Sequence, residues 1–313
     1  MRWFRGPGLE AAFESKRTMR KRTSLIFSIL WAFLIVQVSL ASANDPERKE
    51  VKANAAYGCG EASLSVATGS PGSLGLLRAL AEPFSRAENC QILWVKKGSG
   101  EALEALKAGK VDMVMVHAPA AEEKSVEEGW ATMRTLMGCN EFYIVGPGSD
   151  PAGIRGAGSA EDAYARIARS QARFFSRGDN SGTHKKEMAL WKKAGIRPGG
   201  AWYVTTADFM EATLMRADKE SGYFMTDSST FIAMKSGLRN LRVLFRGDPL
   251  LVNRYHALVA AADTRPEARR ALSTRFVQFV RSSGGQEIIR EFGIKEYGAA
   301  LYLDASCGGT GKE

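Results

Sequence analysis

Two stretches of the chain combine small hydroxylated residues with glycines directly ahead of a segment of helical period. They are Thr68-Gly69-Ser70-Pro71-Gly72-Ser73 and Gly178-Asp179-Asn180-Ser181-Gly182-Thr183-His184. A helix start leaves backbone N–H groups unpaired and carries partial positive charge, so such a loop is suited to holding an anion. Glycine lets the main chain approach closely, and Ser or Thr hydroxyls add donors. A single Ser or Thr in that place is most simply an N-cap. The second loop is denser than a cap requires, and Arg177 beside it offers a planar fork of donors for an oxyanion, with a salt bridge to Asp179 as the structural alternative. Thr68, Ser70, Arg177, Ser181 and Thr183 are therefore the candidate donors to a small oxyanion.

Other chemistries fit less well. His117 and His184 have no further ligands at metal-binding spacing, so no metal site is expected. Ser181 and His184 offer a nucleophile and a base for a hydrolase, yet no G-x-S-x-G is present. No G-x-G-x-x-G occurs, and no cofactor is expected. Lys185 and Lys186 read as a solvated helix face, His117 as a strand-end residue near a cleft and His184 as a first-turn residue. Trp94, Trp130, Trp191 and Trp202 read as core or lobe surface, because no basic stripe runs beside them to make a base-stacking platform.

The elements that must position these loops follow a repeating pattern of short apolar run, Gly/Ser loop and amphipathic helix. Strands are expected over 63–67, 91–95, 111–116, 141–145, 172–175, 203–205, 222–226 and 255–260. Helices are expected over 74–84, 101–108, 120–128, 184–194 and 230–235, from Asp208 onward, and over 267–281. Strands alternating with helices imply an α/β fold with mostly parallel sheets. The Gly/Ala/Pro-rich stretch after Gly146-Pro147-Gly148 suits a crossover, which gives two lobes: 44–147 with 254–313, and 148–253. Both loops fall at the carboxyl ends of strands, so the two lobes would enclose one ligand between them.

The basic cluster Arg20-Lys21-Arg22, an apolar run over 25–40 and Ala41-Ser42-Ala43 form a secretory signal peptide over 1–43. Met19 is the alternative start, which would make 1–18 an upstream extension. Of the net charge of +9, residues 1–43 hold +5, from seven basic and two acidic residues. The remaining +4 gives no case for nucleic-acid binding. Export places Cys59, Cys90, Cys139 and Cys307 in an oxidising compartment. Cys59 and Cys90 stand ahead of neighbouring strands, which favours Cys59–Cys90 with Cys139–Cys307 over the other pairings and over free thiols.

The segment Arg177-Gly178-Asp179-Asn180-Ser181-Gly182-Thr183-His184-Lys185-Lys186-Glu187 resembles the R-G-D-x-S-G-T-H-x-x-E segment of the tungstate-binding periplasmic proteins of ABC uptake systems. Gly98-Ser99-Gly100-Glu101-Ala102, Val116-His117-Ala118, Asn140-Glu141-Phe142, Thr226-Asp227 and Gly285-Gln286 match in the same order, across 63–304. The resemblance implies a two-lobed type II periplasmic binding protein, active as a monomer in the periplasm, that closes on tungstate or molybdate and passes it to a permease and its ATPase. It adds Gly182, Thr226 and Ser228 to the candidate ligand residues. Two departures stand out: Ala67-Thr68-Gly69-Ser70 where the family has Thr-Thr-Thr-Ser, and Ser228 where it has Arg after Thr-Asp. Loss of an Arg removes charge-assisted hydrogen bonds and implies weaker tungstate binding or another small anion. A ligand sensor with a signalling partner is the alternative use of the same fold.

Overall fold

The protein is described by a computed structural model over residues 52–261 and 266–310. The signal peptide over 1–43 and both candidate starts lie outside the described residues. β1 (Ala55–Tyr57) and β2 (Ala62–Thr68) lead into α1 (Ser70–Ser73) and α2 (Leu76–Glu88). β3 (Cys90–Lys96), α3 (Ser99–Lys107), β4 (Met113–Val116) and α4 (Pro119–Glu127) follow. The long β5 (Ala131–Pro147) precedes α5 (Ala160–Ser170), β6 (Phe174–Ser176), α6 (Gly182–Lys193), β7 (Tyr203–Thr205) and α7 (Met210–Lys219). Then come β8 (Tyr223–Asp227), α8 (Ser228–Met234), β9 (Leu241–Phe245) and β10 (Val252–Ala260). α9 (Glu267–Arg281), α10 (Ser283–Glu291), α11 (Ile294–Tyr297) and β11 (Leu303–Asp304) follow, and a 3-10 helix (Ala305–Thr310) closes the described chain.

Two groups of parallel strands organise the molecule. β2 runs parallel to β3 and β4, and β6 runs parallel to β7 and β8. β5 joins them: it is antiparallel to β10 over 131–141 and to β8 over 142–145. β10 in turn lies antiparallel to β4. β5 thus passes from one sheet to the other between Glu141 and Phe142, and Val252 at the start of β10 stands opposite Glu141.

Each half buries both faces of its sheet, and side-chain alternation decides which residue goes where. In β4, Met113 and Met115 pack with Leu64, Leu77 and Phe276, while Val114 and Val116 pack on the other face with Ala102 and Leu106. In β8, Tyr223 and Met225 join Trp191 and Tyr164, while Phe224 joins Leu214 and Phe175. This is the two-lobed α/β architecture expected.

Several elements go beyond the sequence reading, among them α5, the first half of β5, β9 and α10. α5 is capped by Ser159, whose hydroxyl accepts the N–H of Asp162, and buries Ala160, Ala163, Tyr164 and Ile167 at i, i+3, i+4, i+7. The first half of β5 carries Arg134 and Gly138 and lacks a continuous apolar run; pairing with β10 makes it a strand. β9 and α10 are held by β5 and by the Ser282 cap respectively.

The cysteine expectation is half corrected. Cys139 and Cys307 form a disulfide that ties β5 to the C-terminal segment, whereas Cys59 and Cys90 are free thiols. β2 and β3 do start side by side, with Ala62 opposite Cys90. The two side chains point apart, however: Cys59 is exposed and Cys90 is turned into the core, where burial pushes its thiol pKa up.

Candidate ligand site

The connections β2–α1, β3–α3 and β4–α4 from one half meet β6–α6, β7–α7 and β8–α8 from the other, all at carboxyl ends of parallel strands. Five of the six line one enclosed pocket: Gly69, Ser70 and Ser73; Gly98 and Ser99; His117; Arg177 and Ser181; Phe209, Met210 and Glu211. Met115 and Tyr255 close its floor. Its volume of about 10 Å³ is room for roughly one water-sized group. A compact ion suits such a space after a small parting of the walls; an extended organic ligand does not.

Arg177 is the principal charge. It is 4 % exposed, pairs with Asp179 and donates from Nε to the Asp208 carbonyl at 3.2 Å. With two of five N–H donors so engaged, three are left for an anion. Ser181 caps α6 by accepting the N–H of His184 at 3.2 Å, so its own O–H proton stays available. The N–H groups of Gly182 and Thr183 in the first turn of α6 point the same way as the helix dipole. Lys96 lies 4.6 Å over the Phe209 ring and 4.0 Å from Glu211, a cation beside the pocket that also bridges the two halves.

The remaining candidates are placed differently. Ser70 lines the pocket but donates to Asp227 Oδ2 at 3.3 Å, and Thr68 is buried with its hydroxyl donating to the Met115 carbonyl at 2.8 Å. Thr183 is buried with its Oγ1 unpartnered. The Thr226 hydroxyl donates to the Asp227 carbonyl at 3.2 Å. Ser228 accepts the N–H of Glu141 at 3.3 Å and lines a separate cavity of about 480 Å³ beside the β5–β10 crossing and the disulfide. Thr68, Thr226 and Ser228 are therefore not brought to the enclosed pocket.

Sequence reasoning did not select Ser73, Ser99, Tyr255 or Phe209 as ligand residues. Ser73 Oγ is buried without a hydrogen-bond partner, and Ser99 Oγ accepts the N–H of His117 at 3.2 Å. Gly98-Ser99-Gly100 repeats the small-residue loop before a helix, which is the signal that marks it. Lys186 corrects the expectation of a solvated face: its ammonium donates to the Leu250 carbonyl at 3.0 Å and burial lowers its pKa. His184 does stand in the first turn, its Nδ1 accepting the N–H of Asn180 at 3.1 Å. Glu187 accepts from Tyr203 at 2.6 Å and Trp191 at 3.1 Å, and burial pushes its carboxyl up to about 7.

The two halves touch closely here. A methyl group on Gly100 would meet the Asn180 carbonyl at 2.5 Å, and one on Gly182 would meet the His117 ring at 2.7 Å.

Residues 51–283 match the PBP superfamily domain. The tungstate-binding protein TupA of Peptoclostridium acidaminophilum is 31% identical over 279 residues, covering 88% of this chain and 97% of that protein. The chain belongs to the tungstate-binding periplasmic protein family. A Haloferax volcanii relative named for anion binding in an ABC transporter is 36% identical over 223 residues; this chain covers 65% of its length and the match takes in 70% of this chain. The crystal structure of the tungstate ABC transporter from Geobacter sulfurreducens superposes with a TM-score of 0.67 at 36% identity, covering 75% of this chain and all of that one. Membership in this family agrees with the type II fold and with a small closed pocket between two lobes. No helix among the described residues is long and apolar enough to cross a membrane.

Proposed function

We propose that this protein is the solute-binding component of an ABC uptake system, binding tungstate, or molybdate as its close chemical relative. The carrying observation is the enclosed pocket in which buried Arg177 and the capped start of α6 face the small-residue loops of the other lobe. Arg177, Ser181 and the N–H groups of Gly182 and Thr183 are the donors from one lobe. Ser73 and Ser99 are those from the other, with Ser70, whose hydroxyl proton goes to Asp227, and Thr68, Thr226 and Ser228 framing the loops. Charge-assisted donors inside a water-poor pocket are what a dianion needs.

The protein acts as a monomer in the periplasm after removal of 1–43, carries no catalytic machinery or cofactor, and hands its ion to a permease with an ATPase subunit. Because β5 changes partners at Glu141–Phe142, the hinge is drawn there and at the start of β10, a few residues ahead of the 147/148 and 253/254 boundaries expected from the sequence, so that 142–251 form the second lobe.

A thermal-shift series with tungstate, molybdate, sulfate, phosphate and chloride at matched ionic strength tests the reading. A ligand at a hundred times its Kd adds about 2.7 kcal/mol to stability. A selective shift with tungstate or molybdate supports it, and equal response to all five salts contradicts it.

A further inference from the structure

His117 sits where the two lobes and the pocket meet. Its ring stacks on Tyr255 at 4.7 Å, and its Cε1–Nε2 edge faces the start of α6 at Gly182. Nδ1 lies 2.9 Å from Oδ1 of Asn253.

A hydrogen-bond chain decides which imidazole nitrogen carries the proton. Asp227 is filled as an acceptor, by the Thr230 N–H at 2.8 Å, the Thr230 hydroxyl at 3.0 Å, the Ser70 hydroxyl and the Ser229 hydroxyl. Ser229 thus gives its proton to Asp227, and its oxygen accepts from Asn140 Nδ2 at 3.0 Å. The Asn140 amide oxygen then accepts from Asn253 Nδ2 at 2.7 Å. That turns the Asn253 oxygen toward His117, so Nδ1 must donate. The chain runs from β4 through both crossing strands, β10 and β5, to the β8–α8 turn of the other lobe. Neutral His117 consequently carries a lone pair at Nε2, on the ring edge that faces the start of α6, whose N–H groups are the proposed anion donors.

Resting on the oxyanion reading of this pocket, we propose that ligand binding takes up one proton from solvent, held between His117 Nε2 and an oxygen of the bound anion. A lone pair facing an oxyanion repels it, whereas one proton between them makes a charge-assisted hydrogen bond. The charged groups acting on the ring are Asp227, Arg177 and Glu122, and α6, whose first residue faces the ring, carries His184 and Glu187. Burial is the largest influence on His117 and keeps the free protein's imidazole neutral at pH 7. A bound dianion works in the opposite direction. Affinity therefore falls, by up to tenfold per pH unit, as pH rises from the free-state toward the bound-state titration point of His117.

The test is calorimetric titration of sodium tungstate, between pH 6 and 9, in buffers of differing ionisation enthalpy. It compares the wild type with His117→Gln and with Glu187→Gln, which separates a buried acid pushed up to about 7. The expected result is proton uptake approaching one per tungstate in the wild type and in Glu187→Gln, and none in His117→Gln. Nitrogen-15 resonances of His117 in the wild type give the same answer without a variant: Nε2 moves to its protonated position when tungstate is added. Tungstate binding with no proton uptake and no Nε2 shift overturns the proposal and leaves the oxyanion reading intact. Uptake undiminished in a folded His117→Gln also overturns it. Failure of the wild type to bind any oxyanion at any pH overturns both.

Discussion

Gly182, the first residue of α6, stands so near the His117 ring that a single added methyl would lie 2.7 Å from it. The contact joins opposite lobes at the rim of the ligand pocket, and its closeness makes the closed form depend on a missing side chain. Glycine is required here for approach, since the following helix has ordinary geometry.

Gly182→Ala is therefore expected to hold the lobes apart while leaving each core intact. Oxyanion affinity should fall at least tenfold, with the melting temperature of the free protein changed by only a few degrees. Small-angle scattering with saturating tungstate should show a larger radius of gyration than the wild type. A compact, tightly binding variant would contradict the closed arrangement.

Arg177→Ala removes the buried guanidinium that brings fixed charge to the pocket and frees Asp179. Hydrogen bonds to charged groups contribute about 1.5–3 kcal/mol each, so loss of two predicts a hundredfold or greater weakening for a dianion. Calorimetry on the folded variant checks this, and unchanged affinity would remove Arg177 from the site.

Most of the architecture was legible in the sequence because strand and helix periods alternate cleanly between glycine-rich loops. The start of β5 was not, since Arg134 and Gly138 interrupt its apolar pattern and only its pairing with β10 makes it a strand. Arg177 and Ser181, which line the pocket, could be singled out because the local loop chemistry is dense. Ser228 could not be placed that way: its neighbours in sequence say nothing of the Glu141 N–H it accepts or of the cavity beside β5 and the disulfide that it faces. The Cys59–Cys90 expectation failed for a related reason, because adjacency of strands does not specify toward which side a thiol points.

Glu187 should make stability depend on pH. Its folded-state carboxyl titrates at about 7 against an ordinary value of 4.5, so the folded protein keeps a proton that the unfolded chain releases. Stability should accordingly decline as pH rises from about 4.5 to about 7 and be level above that, by at most roughly 3 kcal/mol from this group. Denaturant melts of Glu187→Gln across the same range should lack that decline. A variant that retains it would assign the dependence to other groups.

The disulfide closes a separation of 168 residues between β5 and the C-terminal segment. Replacing both Cys139 and Cys307 by Ser should lower stability by about 2–4 kcal/mol while the pocket, lined by other elements, keeps its ligand affinity within a few fold. Urea denaturation beside tungstate titration checks the two halves of that statement. A large loss of affinity in the folded variant would mean that the hinge end of β5 controls closure.

Isothermal titration of the protein without residues 1–43 with sodium tungstate, and with sulfate and phosphate as competitors, addresses the central claim most directly. One ion per monomer, bound tightly by tungstate or molybdate and weakly by sulfate and phosphate, is the predicted result. No heat and no competition from any of the oxyanions, on protein shown to be folded, would contradict an oxyanion site built from Arg177 and the start of α6.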